Sequence, residues 1–228
     1  MNGPAPRAER WVTYGTAWFD PVDTVTGRRP LTPLHVELDR LVDQDWVVTG
    51  IAAVMTASGA VSYPGLGRSR DPLAAGPRRY RARFAADGYL PLYRADGDGE
   101  EFDAYPYDDM HPPARDPVRA EVGLAPASGY LFAAEIPVLY GEVVTSSGSP
   151  VEDALVEAVM GSGAMLQART ERTVSDRRGG FALPLRWAPS DADTVVVATF
   201  RRGGAAQAGA IAVRVPGGLT GSHRIEIR

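Results

Sequence analysis

Glycine and proline punctuate nearly every window of this chain, and that punctuation limits the fold more than any other feature. The 25 glycines and 19 prolines are scattered among short apolar runs rather than gathered in one tract. Each one ends an extended segment or shapes a turn. A packed helix needs about ten uninterrupted residues, and only Leu34 to Asp45 offers a window for even a short one. The chain therefore reads as all-β. With 228 residues, 44% of them hydrophobic, it can fill two cores of roughly 100 residues each without covalent staples.

The second half is the plainest. Leu139 to Val144 is apolar and runs into Ser147-Gly148-Ser149-Pro150, a turn. Ala154 to Met160 alternates, Gly161-Ser162-Gly163 breaks it, and Leu166 to Val174 alternates again with Arg169, Glu171 and Thr173 on one face. After the polar turn Ser175 to Gly180, the residues Phe181, Leu183 and Leu185 share a face at period two. Thr194 to Arg201, Ala208 to Val215 and Ser222 to Arg228 complete seven candidate strands. Short strands separated by turns at this density predict an antiparallel sandwich.

These residues also carry a resemblance. Gly141, Val143, Gly148, Pro150, Val151, Ala154 and Val156, then Ser175, Asp176, Gly180, Phe181 and Leu183, resemble the carboxypeptidase-regulatory-like family of transthyretin-type β-sandwiches. The resemblance covers about residues 139 to 228 and implies a fold; it implies no activity. Physically, Gly148 and Gly180 allow turn dihedrals, Pro150 fixes a backbone angle, and Asp176 is placed to bond the backbone of its own turn.

The first half resembles the second. Gly27, Pro30, Leu31, Leu34 and Val36 stand where Gly148, Pro150, Val151, Ala154 and Val156 stand, with one extra residue in the turn. The segment Arg79 to Tyr93, with Asp87-Gly88 at its turn, is similar to the hairpin Asp176 to Leu185. The expectation is two tandem antiparallel β-sandwich domains. Residues 1–10 are a flexible N-terminus, 11–137 a decorated sandwich with long loops, and 138–228 the carboxypeptidase-regulatory-like sandwich, with a short, stiff joint near Pro137 to Gly141. Trp46 to Ala57, rich in β-branched residues, reads as one strand with Gly50 as a bulge. Ser62 to Pro77 and Asp96 to Pro117 read as long loops, and loops of that length in a compact domain usually contact something.

Catalytic signatures are missing. His35, His111 and His223 stand alone in sequence with no metal-ligand spacing. No Gly-x-Ser-x-Gly occurs. Two enzyme families share the sandwich type: the transthyretin-like hydroxyisourate hydrolases need a C-terminal Tyr-Arg-Gly-Ser where this chain ends GSHRIEIR, and the intradiol dioxygenases need a Tyr/His iron cluster with no counterpart here. Cysteine is absent, so thiolate metal sites and disulfides are excluded. The acidic run Asp96, Asp98, Glu100, Glu101, Asp103 offers carboxylates to a calcium ion but lacks EF-hand spacing, and a solvated loop explains it. Arg78, Arg79, Arg81 and Arg83 read as the exposed face, or a cation-rich edge, of a strand. All 24 basic residues are Arg and the net charge is −4, a poor balance for nucleic acid.

The expected function is a non-catalytic structural or adaptor module of a larger protein assembly, with no cofactor and no metal. In layout it is similar to accessory proteins of contractile injection systems and phage-tail-like particles. Its partners would be other protein subunits; no nucleic acid, membrane span or small-molecule substrate is expected. A cytoplasmic location is expected from the missing apolar leader and spans, and release as part of a particle would leave no such mark. The interaction residues expected from the long loops are Tyr63, Arg68, Arg70, Asp98, Tyr105, Tyr107 and His111, since Tyr and Arg favour interfaces. A carbohydrate- or peptide-binding module is the alternative, with Trp11, Trp18, Trp46 and Trp187 as stacking surfaces, although Trp18 and Trp46 read as core. An enzyme of unknown type on a transthyretin-like sandwich is the third reading.

Overall fold

A computed structural model of the chain describes residues 13–160, 169–188 and 193–228. The N-terminal segment 1–10, Trp11 and the Gly161–Gly163 turn lie outside the described residues. The described residues form strands and two short 3-10 turns, with no α-helix. In the first half, β1 (Gly15–Asp23), β2 (Leu34–Val42), β3 (Asp45–Val48), β4 (Val54–Met55), β5 (Val61–Pro64), β6 (Arg78–Ala86), β7 (Tyr89–Pro91), β8 (Glu100–Ala104) and β9 (Val118–Pro126) make two sheets, ordered β4-β5-β1-β9-β7 and β3-β2-β6-β8. In the second half, β10 (Val138–Thr145), β11 (Leu155–Met160), β12 (Arg169–Val174), β13 (Gly180–Pro184), β14 (Asp193–Phe200), β15 (Gln207–Arg214) and β16 (His223–Ile227) make the sheets β13-β10-β16 and β12-β11-β14-β15.

One topology is used twice. Replacing β1, β2, β3, β5, β6, β8 and β9 in turn by β10 to β16 converts β5-β1-β9 into β13-β10-β16, and β3-β2-β6-β8 into β12-β11-β14-β15. Strands β4 and β7 are additions at the two ends of the first copy's larger sheet. The turn after the first strand repeats in detail. Asp23 N donates to Arg28 O at 2.7 Å, and Thr145 N donates to Ser149 O at 2.9 Å, so the first turn is one residue longer. Gly27 (φ 66°) and Gly148 (φ 84°) hold the left-handed position in each turn, where a side chain would be strained. Asp176 Oδ1 accepts from the N–H of Arg178 (2.8 Å) and of Gly180 (3.0 Å), closing its own turn.

Four expectations change. The similarity between the β6–β7 and β12–β13 hairpins is not a correspondence: in the shared topology β6 stands where β14 stands, and β7 has no counterpart. Turn chemistry recurs in any hairpin, so it cannot fix which hairpin matches which. Leu34 to Asp45 holds no helix; it is β2 and its turn into β3, with Asp43 (φ 48°) and Gln44 (φ 76°) both left-handed. That is the two-residue geometry preferred between twisted strands, made here by Asp-Gln without a glycine. Trp46 to Ala57 is not one bulged strand. It splits into β3 and β4, which belong to different sheets, and Gly50 (φ 66°) lies in the connection. The sheets are not antiparallel throughout either, because β10 and β16 pair in parallel, Gly141 opposite His223 through Thr145 opposite Ile227.

The described residues gather into two compact units that interleave along the sequence. One holds residues up to Asp20 with Glu37–Ala82 and Glu101–Ala120; the other holds Pro21–Val36, Arg83–Glu100 and Glu121–Arg228. Pro137 to Gly141 falls inside the second unit.

The first unit has an aromatic core. The Phe102 ring meets Phe19 edge-on at 5.6 Å and stacks with Tyr80 at 5.8 Å and Tyr63 at 6.1 Å, all four being buried. Such rings bury large area and add directional contacts. On the strand β6, Tyr80 and Ala82 point inward at period two while Arg79 and Arg81 point away. Arg81 reaches Asp39 Oδ2 at 2.8 Å and lies 4.6 Å from the Trp46 ring. Arg79 reaches Glu101 at 2.9 Å and Asp103 at 3.4 Å. The arginine stretch is not an edge, because β6 is an interior strand; Arg78 and Arg79 are exposed on it as expected, and Arg79 and Arg81 are matched by carboxylates.

The second unit has an aliphatic core around Leu139, Val143, Val156, Val196, Leu183 and Ile225, with Phe181 at 1% exposure its aromatic member. Gly141 faces Phe181 across the β10–β13 pairing, and a Cβ there would stand 2.6 Å from both His223 O and Phe181 Cζ. Further segments of this unit are tied to that core by charge. Arg186 donates to both Glu171 oxygens at 2.7 Å and to the carbonyls of Val25 and Thr24. Arg94 reaches Glu152 at 2.7 Å and Asp153 at 2.8 Å, while Arg202 pairs with Asp153 at 2.5 Å and with Asp98. Thr173 Oγ1 donates to Pro126 O at 3.0 Å. Burial raises the Asp153 carboxyl above its usual range, against the pull of Arg94 and Arg202.

Candidate functional site

The two long connections of the first unit are built together. Tyr107 N donates to Gly67 O at 3.2 Å, Ser69 N to Tyr107 O at 2.9 Å, and Arg68 pairs with Tyr107 as an isolated parallel bridge. The Arg68 guanidinium reaches Asp109 Oδ2 at 2.6 Å. Asp108 Oδ1 accepts from the N–H groups of Met110 (2.8 Å) and His111 (2.7 Å) and lies 3.0 Å from His111 Nδ1. The Met110 N–H first, and then that of His111, hold the Asp108 carboxyl below the usual carboxylate range. Beyond this clasp, Leu73 and Met110 are 80% and 82% exposed.

A cleft of about 290 Å³ opens beside the clasp. Its wall is β1, distorted on purpose: Gly15 pairs with Pro64 and Trp18 with Ser62, so one residue is extra between them. A bulge of this kind re-aims side chains. It leaves Thr16 and Trp18 lining the cleft, and the Trp18 indole folds back so closely that a Cβ at Gly15 would lie 3.0 Å from Trp18 Nε1. Tyr14 packs edge-on against Tyr107 at 5.1 Å. Tyr105 also lines the cleft, with Arg115 over its ring at 5.3 Å, and Asp103, Asp116 and the prolines Pro112, Pro113 and Pro117 complete the lining. Thr16 is only 6% exposed, and its Oγ1 has no hydrogen-bond partner among the described residues.

The expected interaction residues divide. Arg68, Tyr105, Tyr107 and His111 are brought into one neighbourhood, and Arg70 is exposed on the same connection as Arg68. Tyr63 and Tyr107, however, are not surface residues: they are 1% and 0% exposed. Tyr63 belongs to β5, which takes the first residues of the supposed loop into a sheet, and Tyr107 is the plug on which the clasp closes. Burial, with the Asp39 carboxylate adding, pushes the Tyr63 phenol up. Asp98 is exposed and joins Arg202 in the second unit, apart from the rest. Asp96 to Pro117 is not loop throughout, since it contains β8, and four acids of its acidic run are engaged: Asp96 with Arg201, Asp98 with Arg202, Glu101 and Asp103 with Arg79. Among the described residues no His/Asp/Glu group is arranged to hold a metal ion. His35 and His111 are exposed and His223 is half-buried in β16.

Tyr14, Thr16 and Arg115 were not legible as site residues; in the sequence Trp18 figures only as a stacking surface of the carbohydrate-binding alternative and reads as core. Trp18 and Trp46 are half-buried rather than core, and Trp187 is half exposed. The one available signal was Gly15, a glycine inside a strand, which often marks a bulge.

No known family's sequence profile matches the chain, and no curated protein matches it. Solved structures similar to it include the Bacillus anthracis TIE protein (TM-score 0.28, 10% identity, 95% of this chain and 34% of that one). A Streptococcal ancillary pilin has a TM-score of 0.31 and 9% identity over 95% of this chain and 62% of that one. The shaft pilin SpaA from Lactobacillus rhamnosus GG has a TM-score of 0.29 and 11% identity over 95% of this chain and 97% of that one. The chain thus spans about a third of the first and less than two thirds of the second.

Proposed function

We propose that the protein is a non-catalytic structural subunit that takes its place in a larger protein assembly through the clasped connections of its first unit. The observation that carries this reading is the clasp itself. Two long segments are stapled to each other by backbone hydrogen bonds and the Arg68–Asp109 pair, yet the apolar side chains of Leu73 and Met110 remain in solvent. Ordering a loop costs backbone entropy, and exposing large apolar groups forgoes burial. A partner surface over Leu73 and Met110 would offset both, and a pre-ordered surface loses less on binding. The second sandwich then acts as a charge-locked support. The Asp176 turn, with Ser175 Oγ donating to Val151 O at 2.7 Å, supports placing it with the carboxypeptidase-regulatory-like sandwiches.

The test is purification of the tagged protein from its native cells with imaging of whatever large particle accompanies it. The finer reading, a contractile injection or phage-tail-like particle, predicts that this particle has a tail. The double variant Leu73→Glu/Met110→Glu should keep its thermal midpoint and disappear from the particle. Normal incorporation of that variant would sink the proposal, as would a hydrolytic activity that vanishes on replacing His35, His111 or His223.

A further inference from the structure

We propose that the cleft between the β1 bulge and the Pro112–Pro117 rim is a binding site for a neutral sugar ring, an activity separate from assembly. Three observations point there. The bulge in β1 interrupts the ladder with an extra residue, and the strand that carries it places a part-buried tryptophan in the lining of a cavity of about 290 Å³. An indole and a phenol in one cleft lining, Trp18 and Tyr105, give flat apolar faces with polar edges, which suits a ring that is apolar on one face and hydroxylated around its rim.

The polar groups fit the same ligand. Each sugar hydroxyl both donates and accepts, and the rim offers acceptors (Asp103, Asp116) and a donor fork (Arg115) within one small cleft. Asp103 is already shared with Arg79, so the rim carries no strong excess of either sign, and a charged ligand is not favoured. The buried Thr16 Oγ1 in the cleft wall, unpartnered among the described residues, is the kind of polar group a bound hydroxyl satisfies.

An extended peptide fits less well. Peptides that add to a sheet need a free strand edge, and β1 is flanked by β5 on one side and β9 on the other. The cavity is compact and walled by three prolines, which favours a single ring over a polyproline segment that needs a long open groove.

The experiment is titration of the full chain with the methyl glycosides of glucose, galactose, mannose and N-acetylglucosamine, followed by the tryptophan indole N–H signals in NMR. The Trp18 signal is assigned by its loss in Trp18→Phe. At least one glycoside should shift that signal saturably and leave those of Trp46 and Trp187 in place. Arg115→Ala, a change at an exposed side chain, should weaken the binding at least tenfold without moving the thermal midpoint. If Trp18→Phe fails to fold, the Arg115→Ala comparison alone decides. No shift with any of the four glycosides at tens of millimolar overturns the proposal. So does a shift confined to Trp46 or Trp187, or a response to a proline-rich peptide in place of the sugars. Leu73 and Met110 do not line the cleft, so Leu73→Glu/Met110→Glu should bind the glycoside as the native chain does.

Discussion

The two sandwiches share a strand order and differ in what fills and connects it. The second copy is filled mainly by aliphatic side chains and joins its strands with short connections. The first is centred on stacked rings and carries the additions: β4, β7 and the two long connections that close on Tyr107. Aliphatic packing needs only periodic Val, Leu and Ile. A ring core demands larger, shaped contacts, and the same unit holds a further ring pair: Tyr107, buried in the clasp, meets Tyr14 at the cleft.

The largest expected effect tests the aliphatic copy at its buried phenylalanine. Phe181→Ala should cost about 4 kcal/mol in chemical denaturation, the usual range for a buried aromatic whose neighbours cannot collapse. Gly141, with no side chain opposite the ring, leaves nothing to fill the hole. An unchanged midpoint would mean that Phe181 is not the keystone the register makes it. Next comes Tyr107→Ala, expected to cost about 3 kcal/mol and to open the clasp, read as faster amide exchange at Ser69. A residue in an ordinary solvated loop would cost almost nothing. A neutral Tyr107→Ala would erase the contrast between the two copies.

The residues explain which of these features could be read in advance. The strands of the second copy followed from short apolar or alternating runs between turn residues, because its core is built from the residue types that such patterns detect. The repeated Gly-x-Pro turn was legible down to its one-residue difference in length. The β2–β3 hairpin was not, since Asp43-Gln44 makes a left-handed turn without glycine. Nor was the burial of Tyr63 and Tyr107: a tyrosine among Pro, Gly and Asp reads as surface until a distant segment is seen to cover it. The cleft depends on a bulge, and a bulge is a relation between two strands, visible in neither alone.

A middle-sized effect concerns the charge lock of the second unit. Arg186→Ala removes both hydrogen bonds to Glu171, whose side chain is 4% exposed, and the donors to two backbone carbonyls. A buried carboxylate left without its partner is costly, and since Arg186 is itself a quarter exposed the expected loss is about 2 kcal/mol. Limited proteolysis sharpens the point. Cleavage in the exposed stretch near Leu131 should leave the native fragments associated, and the same nick in Arg186→Ala should let them separate. Fragments that part equally in both proteins would mean the lock holds nothing.

The smallest effect is a pH dependence, and it sets β8 against its counterpart. β8 opens on Glu100, and β15, in the same place in the second copy, opens on Gln207. Burial raises the Glu100 carboxyl above its usual range. A raised carboxyl pKa means the folded state holds its proton more tightly than the unfolded chain. The folded protein therefore gains from Glu100 at low pH, and the gain is lost as pH rises from the ordinary value of 4.5 through the raised one. Glu100→Gln gives the first copy the neutral amide of the second and removes this slope. At neutral pH the variant should be more stable by about 0.5 kcal/mol, and below pH 4 the two proteins should converge. Urea midpoints measured across that range decide it. A variant that is less stable at neutral pH would show that the Glu100 carboxylate is held by a favourable contact, and that the charge at the head of β8 serves the first copy in a way the second does without.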